Sequence, residues 1–381
     1  MPSPRFSITV DGTRLDAGTL SRVQSVEVQE GDDMMARAVI KFRLAQAADG
    51  SYAILDGGPF EPGSEIRLTM AAPGGTDQVI FCGLLSHLRP HFEEPEANCH
   101  LEVVACDHAM VLAAEDRVAS YPDASDSDAA AEILDRYGIT LTADETDARL
   151  SKDDMLLIQR ADDWSFLRHL AARNGFATYF EPDQASGDPA CHFHARKLDD
   201  PPQADLTILR EGANLEWLDV QVAHDRPEFR SAIGIDAVAK RIVRGDQPSV
   251  EAVLGEALFA SQAAAGVGRA KATGTVAHLR GALPRDAAIV AHARGRIARD
   301  HMAIEARGAL DPALYRGLLR AHRPVLIKGI GARLTGTWYV TEVVTVLTEG
   351  RLRQTFAAVT NALGRRGHEP FGLSAEEEAP Q

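Results

Sequence analysis

The chain has 381 residues, with 55 acidic against 40 basic side chains, a formal net charge of −15 and a pI near 5.3. That balance argues against a nucleic-acid groove, which needs clustered Lys and Arg. No apolar run approaches the roughly 20 residues that span a bilayer, and four scattered cysteines (Cys82, Cys99, Cys106, Cys191) do not make a disulfide framework.

The start, Met-Pro-Ser-Pro-Arg-Phe-Ser, lacks the apolar core of a signal peptide, so the expectation is assembly in the cytoplasm. Residues 1–110 read as β-rich. Phe6 to Val10 alternates, Asp11-Gly12 turns, and alternation returns at 23–28, 38–44, 65–70, 79–85 and 99–105, with turns between. Short strands with frequent turns predict a small barrel or sandwich. Residues 111–205 read as an α/β insert, with a helix over 126–137 stopped by Gly138. After Asp199-Asp-Pro-Pro202, strands at 206–209 and 215–222 open a second β unit, 206–245 with 300–363. Its later strands fall at 303–310, 325–330, 336–346 and 351–359. Between them, 246–299 is Ala-rich and predicts a helical insert, with helices over 251–265 and 285–301; 364–381 is an acidic, flexible tail.

The densest local signal runs from 159 to 181. Asp162 can cap a helix whose apolar face carries Trp164, Leu167, Leu170 and Ala171, with Phe166 beside it, and Asn174-Gly175 supplies a left-handed stop. Phe176, Thr178 and Phe180 then alternate with Ala177 and Tyr179 in the period of a strand. A second comparison is internal. The strands at 65–70, 81–88 and 100–105 match those at 325–329, 334–343 and 352–357 in pattern and spacing: strand, turn, Gly-led long strand, hairpin, final strand. The alternative is that β meanders simply look alike.

The segment Asp162 to Glu181 resembles one in phage late control protein D and in the N-terminal part of the valine-glycine repeat spike proteins (VgrG) of type VI secretion. The start of the chain, and Gly336-Thr-Trp338-Tyr339-Val340 with Arg351 to Phe356, resemble the same family. Thr345 stands where that family often has His, and Leu352-Arg353 blurs an aromatic position. The resemblance implies an α+β, β-rich chain with two similar small β-barrel domains, an α/β insert and a helical insert, assembling as a pseudo-sixfold trimeric ring. It implies a non-enzymatic baseplate hub of a contractile tail or injection system, adapting a sixfold tail tube to a threefold spike. Its partners would be two further copies of itself, the tail tube protein, a spike on a separate chain, baseplate wedge proteins and the tape measure, without nucleic acid or membrane insertion. The residues carrying the signature are Asp162, Trp164, Phe166, Leu167, Leu170, Gly175, Phe176, Tyr179, Phe180, Gly336, Trp338, Tyr339 and Val340.

Catalytic, cofactor and metal signals are weak. His87, His91, Cys99, His100, Cys106 and His108 lie close in sequence, but not at finger or ribbon spacing, and His192 and His194 read as a solvent-facing pair on one strand face. His301 and Glu305 have helical spacing but straddle a predicted boundary. Gly266-Val-Gly268 has Lys271 where a third glycine would stand, and no nucleophile elbow, Walker loop or His-Glu-x-x-His occurs. Asp153-Asp154 and Asp162-Asp163 read as helix-start acids. The rival reading is a cell-wall glycan hydrolase using Glu181 or Asp162-Asp163, or a glycan-binding β-barrel. Trp217, like Trp338, could pack within a subunit or between subunits.

Overall fold

The computed structural model describes residues 4–146, 156–224, 229–236, 240–247, 252–259, 274–283, 286–311, 313–315, 317–348 and 350–365. Asp153-Asp154, Gly266 to Lys271 and most of the acidic tail lie outside them.

The first six long strands are β1 (Arg5–Val10), β2 (Val23–Gly31), β3 (Arg37–Arg43), β4 (Glu65–Ala71), β5 (Gln78–His91) and β6 (His100–Cys106). They lie side by side in the order β2-β3-β6-β5-β4-β1. Alternation dictates the core face: Ile8, Val26, Val28, Ile40, Phe42, Ile66, Leu68, Leu101 and Val103 are all buried in one cluster. Strands at both ends of the order share that core, so the sheet curls around it. It does not close on itself, because β2 bonds to a strand of the second set instead.

An insert follows: β7 (Asp116–Tyr121), α1 (Asp126–Asp135), β8 (Thr140–Ala143), β9 (Leu157–Asp162), α2 (Asp163–Asn174), β10 (Phe176–Pro182) and β11 (Pro189–Ala195). Ser125 and Asp128 form a capping box at the start of α1. Strands β7 and β9 pair antiparallel, while β11 bonds antiparallel to β10 and parallel to β8. Trp164, Phe166, Leu167, Leu170, Phe180 and Phe193 build a separate core.

The second set is β12 (Gln203–Thr207), β13 (Leu215–Val222), then β14 (Phe229–Asp236), β15 (Arg241–Gln247), β16 (Gly274–Leu283) and α3 (Asp286–His301) as an inserted unit. The set resumes with β17 (Ile304–Leu310), β18 (Pro324–Lys328), β19 (Gly336–Thr348) and β20 (Arg351–Thr360). Strand β12 ends at Thr207, before the expected 209, because Leu209 takes a left-handed φ of 57°. Helix α3 occupies the span expected at 285–301. At 274–283 the expected helical insert is corrected: β16 lies there and pairs parallel with β14. Of the helix expected over 251–265, residues 260–265 lie outside the described residues, and Ala257–Leu258 pairs with Ala362–Leu363 instead of lying in a helix. Alanine content favours helix, but strand partners override propensity where an open edge offers a ladder.

Leaving that inserted unit aside, the second set runs β13-β17-β20-β19-β18-β12. Taken by chain position, both sets read second, third, sixth, fifth, fourth, first. The registers agree as well. The row Val28–Ala38–Ala105–Leu85 in the first set answers Val220–Ala306–Ala358–Val340 in the second. The next core-facing row, Val26–Ile40–Val103–Leu88, answers Leu218–Gly308–Phe356–Val343. Both sets slip by one residue at the same two places: between Leu85 and His87 and between Val340 and Glu342, then between Val23 and Ser25 and between Leu215 and Trp217. A bulge re-aims a strand, so shared bulges reflect a shared path. Two differences stand: β1 runs antiparallel to β4, whereas β12 runs parallel to β18, and each set has one further slip of its own, between Leu68 and Thr69 in the first and between Gln203 and Leu206 in the second.

Candidate assembly interface

The two sets join along one seam. Strand β19 is 13 residues long, enough to serve three partners. Residues 336–339 bond to β18, 342–348 bond on that same edge to β2, and 339–348 bond on the opposite edge to β20. The switch from β18 to β2 falls at the bulge, where the Thr341 carbonyl accepts from Asp32 N–H at 2.9 Å. Gln29 Nε2 also donates to Glu342 Oε1 across the seam at 2.7 Å.

At the β2 end of this seam, three parts of the chain converge on buried charges. Arg320 Nε and Nη2 donate to Glu30 at 2.8 to 3.1 Å, and Ala321 N–H donates to Glu30 at 2.8 Å. Arg320 also lies 3.4 Å from Glu181 at the end of β10, which Arg323 reaches at 2.7 Å. Burial opposes both charges, but Arg320 and Arg323 hold the Glu181 carboxyl down to about 2, and Glu30 and Glu181 hold the Arg320 guanidinium above its usual range. Next to them, Asp32 bonds His322 Nδ1 at 2.8 Å and Arg196 Nε at 2.8 Å. Despite burial, those two bonds keep the Asp32 carboxyl below its usual range. The His322 ring stacks on Tyr179 with centroids 3.4 Å apart, and Arg196 lies over the Tyr339 ring at 5.7 Å.

The sequence-predicted residues divide between this junction and the insert core. Asp162 caps α2, its side chain accepting from Ser165 N–H at 2.8 Å. Trp164, Phe166, Leu167, Leu170 and Phe180 are buried in the insert core, with Phe176 packed against it. Gly175 is left-handed at φ 74°, and a Cβ there would press on Gly295 of α3, so two glycines let α2 and α3 meet closely. Tyr179 points the other way, into the junction. Strand β10 is therefore buried on both faces, and its alternation separates two interiors rather than inside from outside. Trp338 and Val340 lie in the core of the second set with Gly336 at the start of β19, while Tyr339 faces the junction.

Sequence reasoning missed Glu30, Asp32, Arg196, Arg320, His322 and Arg323. One signal was present: Glu30 continues the core-facing series Val26, Val28, and a charge at such a position requires a partner. The solvent-facing assignment of His192 and His194 is corrected. His194 is 2% exposed, and His192 stacks on Tyr179 at 4.6 Å, its Nδ1 3.3 Å from His194 Nε2. The second set covers this face of the insert, which a strand read alone cannot reveal. Burial pushes His192 down to about 4.

The carboxylates of the hydrolase reading are occupied. Glu181 borders an open groove of about 460 Å³ with Asp183, Asp188 and His192, but a glycosidase acid must be protonated to act, and Glu181 is clamped as an anion. Asp163, at 1% exposure, accepts from Gln159, Tyr137 and Arg136. Although burial works against its charge, these bonds hold it below the usual value. His301 ends α3 and Glu305 lies in β17, so the two do not share a helix. Of the His/Cys group, the His91 and His100 rings lie 4.7 Å apart, Cys99 Sγ donates to the Glu93 carbonyl, and the His108 ring faces Phe180. No group of three or more metal-ligating side chains converges among the described residues, and no helix among them is long and apolar enough to cross a membrane.

The fold is shared with solved tail proteins. The tail protein of Neisseria meningitidis MC58 superposes with a TM-score of 0.64 at 12% identity, covering 95% of this chain and 98% of its own. The 43 kDa tail protein of prophage MuSo2 from Shewanella oneidensis gives 0.63 at 10%, covering 95% and 100%. A chain of the Francisella PdpA-VgrG complex gives 0.57 at 9%, covering 94% of this chain and 58% of that one. No curated protein sequence matches. Residues 2–193, just over half of the chain, match the model of the Alg8 N-terminal domain, and the chain belongs to that family.

Proposed function

We propose that this chain is the hub of a contractile tail or injection machine of the late control protein D type, a structural protein and not an enzyme. Three copies form a ring of six near-equivalent units between the sixfold tail tube and a threefold spike. In this reading residues 1–110, and 206–222 with 304–363, are the two ring units, because β14 and β15 belong to the inserted unit. Residues 111–205 and the inserted unit of β14, β15, β16 and α3 lie outside the ring and meet baseplate wedge proteins, and the tape measure ends against the tube side. Assembly takes place in the cytoplasm.

The observation that carries the reading is the coincidence of strand order, register and two bulges between the two sets. One chain thereby supplies two copies of the same path, and a threefold assembly of such chains presents six. The similar structures, two tail proteins and a chain of a PdpA-VgrG complex, support the class of machine. The buried Arg320–Glu30–Glu181 junction supports a rigid angle between the units, because a charge removed from its partners there is costly. In this reading the signature residues act as architecture: Trp164, Phe166, Leu167, Leu170, Phe176 and Phe180 fill the insert, and Tyr179 and Tyr339 meet the junction.

Negative-stain averages of the purified chain test the reading. Six lobes around a central hole are expected; isolated bilobed particles would contradict it. Turnover of peptidoglycan by the same preparation, abolished by Glu181→Gln, would instead support the glycan-hydrolase reading.

A further inference from the structure

The seam inside the chain has a counterpart that is half empty at each end. In the first set, β5 is the strand equivalent to β19, yet among the described pairings residues 87–91 of β5 bond only to β6. In the second set, β13 is the strand equivalent to β2, yet among the described pairings it bonds only to β17. Each set thus exposes the half of the seam that the other lacks.

We infer that β13 of one copy pairs antiparallel with residues 87–93 of a second copy, in the register that β2 and β19 use within the chain. This rests on the ring reading above and deepens it. The shared bulges fix the register. Glu342, first after its bulge, answers His87, and Ser25, first after its own, answers Trp217. The seam pairs Val343 with Glu30, Val344 with Gln29 and Val346 with Glu27. Carried across, those pairs become Leu88 with Val222, Arg89 with Gln221 and His91 with Asp219 of the second copy.

The side chains fit this occupant. Leu88, Phe92 and Trp217 are 36%, 53% and 41% exposed, and all three fall on these two open edges. Large apolar groups beside an unpaired ladder mark a surface that is covered in use. Charge faces opposite charge diagonally, with Arg89 on one edge and Asp219 on the other. Pro90 stands opposite Val220 and carries no N–H, which removes one ladder donor and limits indiscriminate pairing of a free edge. Because the two edges differ, the contact is head-to-tail and propagates from copy to copy until it closes.

The test is disulfide trapping in the full chain. Both His91 and Asp219 are exposed, so the variant His91→Cys with Asp219→Cys leaves the core untouched. Directly opposed strand positions have Cβ atoms about 4.5–5.5 Å apart, near disulfide reach, whereas positions shifted by two residues lie about 7–8 Å apart. Non-reducing gels of the opposed pair should show linked dimers and trimers at roughly tenfold the yield of Arg89→Cys with Asp219→Cys. Equal or reversed yields overturn the register. A threefold mass by light scattering without linkage in either variant overturns this pairing and leaves the ring reading standing; a single-chain mass for the unmodified protein overturns both.

Discussion

The two six-stranded sets follow one path with different interiors. On the row that runs through β3 and β6 the first set places Ile40 against Val103, and the second places Gly308 against Phe356. A Cβ on Gly308 would press on the Phe356 ring, so the ring fills the volume that Ile40 fills in the first set. Along the fifth strand the first set has Phe81 and Gly83, where the second has Gly336 and Trp338. A side chain at Gly83 would strike the Phe81 ring and the Cys106 carbonyl. The aromatic has moved two residues along one face while the backbone kept its route. Dense packing requires only that total volume be conserved across facing positions, so a repeat can persist in path while identity between its copies vanishes.

That comparison can be strained at its joint, in its solvent conditions and in its cores. The largest effect is expected at the junction. Arg320→Met leaves Glu30 buried without its cation and Glu181 with Arg323 alone, and should lower stability by about 3–5 kcal/mol, read as a fall in the urea midpoint. Acid comes next. His192 is held neutral, with its pKa down to about 4 against an unfolded value near 6.5, so its contribution is complete above pH 6.5 and is lost as pH falls toward 4. Glu181, at about 2, contributes fully above its unfolded value near 4.3 and loses that contribution as pH falls toward 2. Each slope is at most about 1.4 kcal/mol per pH unit. A melting temperature that declines below pH 6.5, and declines later in His192→Gln, is the expected pattern.

The exchanged cores give a finer test. Gly308→Ala alone should cost about 1–3 kcal/mol by overpacking. Adding Phe356→Val, which makes the pair more like Ile40 and Val103, should recover part of that loss, visible as favourable coupling in a double-mutant cycle. Strict additivity would mean that the two positions do not share one volume. The smallest expected effect is at the helix cap: Asp162→Ala removes the acceptor for Ser165 N–H and should cost about 1 kcal/mol, without altering assembly.

How legible all this was depended on whether the cause was local. The α2 helix, its Asp162 cap and its Gly175 stop are set by residues within one turn of each other, and they stand where the pattern put them. The spans of β13, α3 and β17 were readable for the same reason. The two-sided burial of β10 was not, because Tyr179 is covered by His322, distant in sequence. Strand β16 was misread for a similar cause: its pairing with β14 outweighs an Ala-rich composition. The junction was nearly invisible. Glu30 and Arg320 are 290 residues apart, and only Glu30's place in an apolar series hinted that a partner existed.

In the proposed ring, one chain supplies two units and three chains make six. Sedimentation equilibrium of the unmodified chain at micromolar concentration measures this most directly. A single species at three times 41.1 kDa is expected. A species of 41.1 kDa, or a twofold assembly, would contradict it.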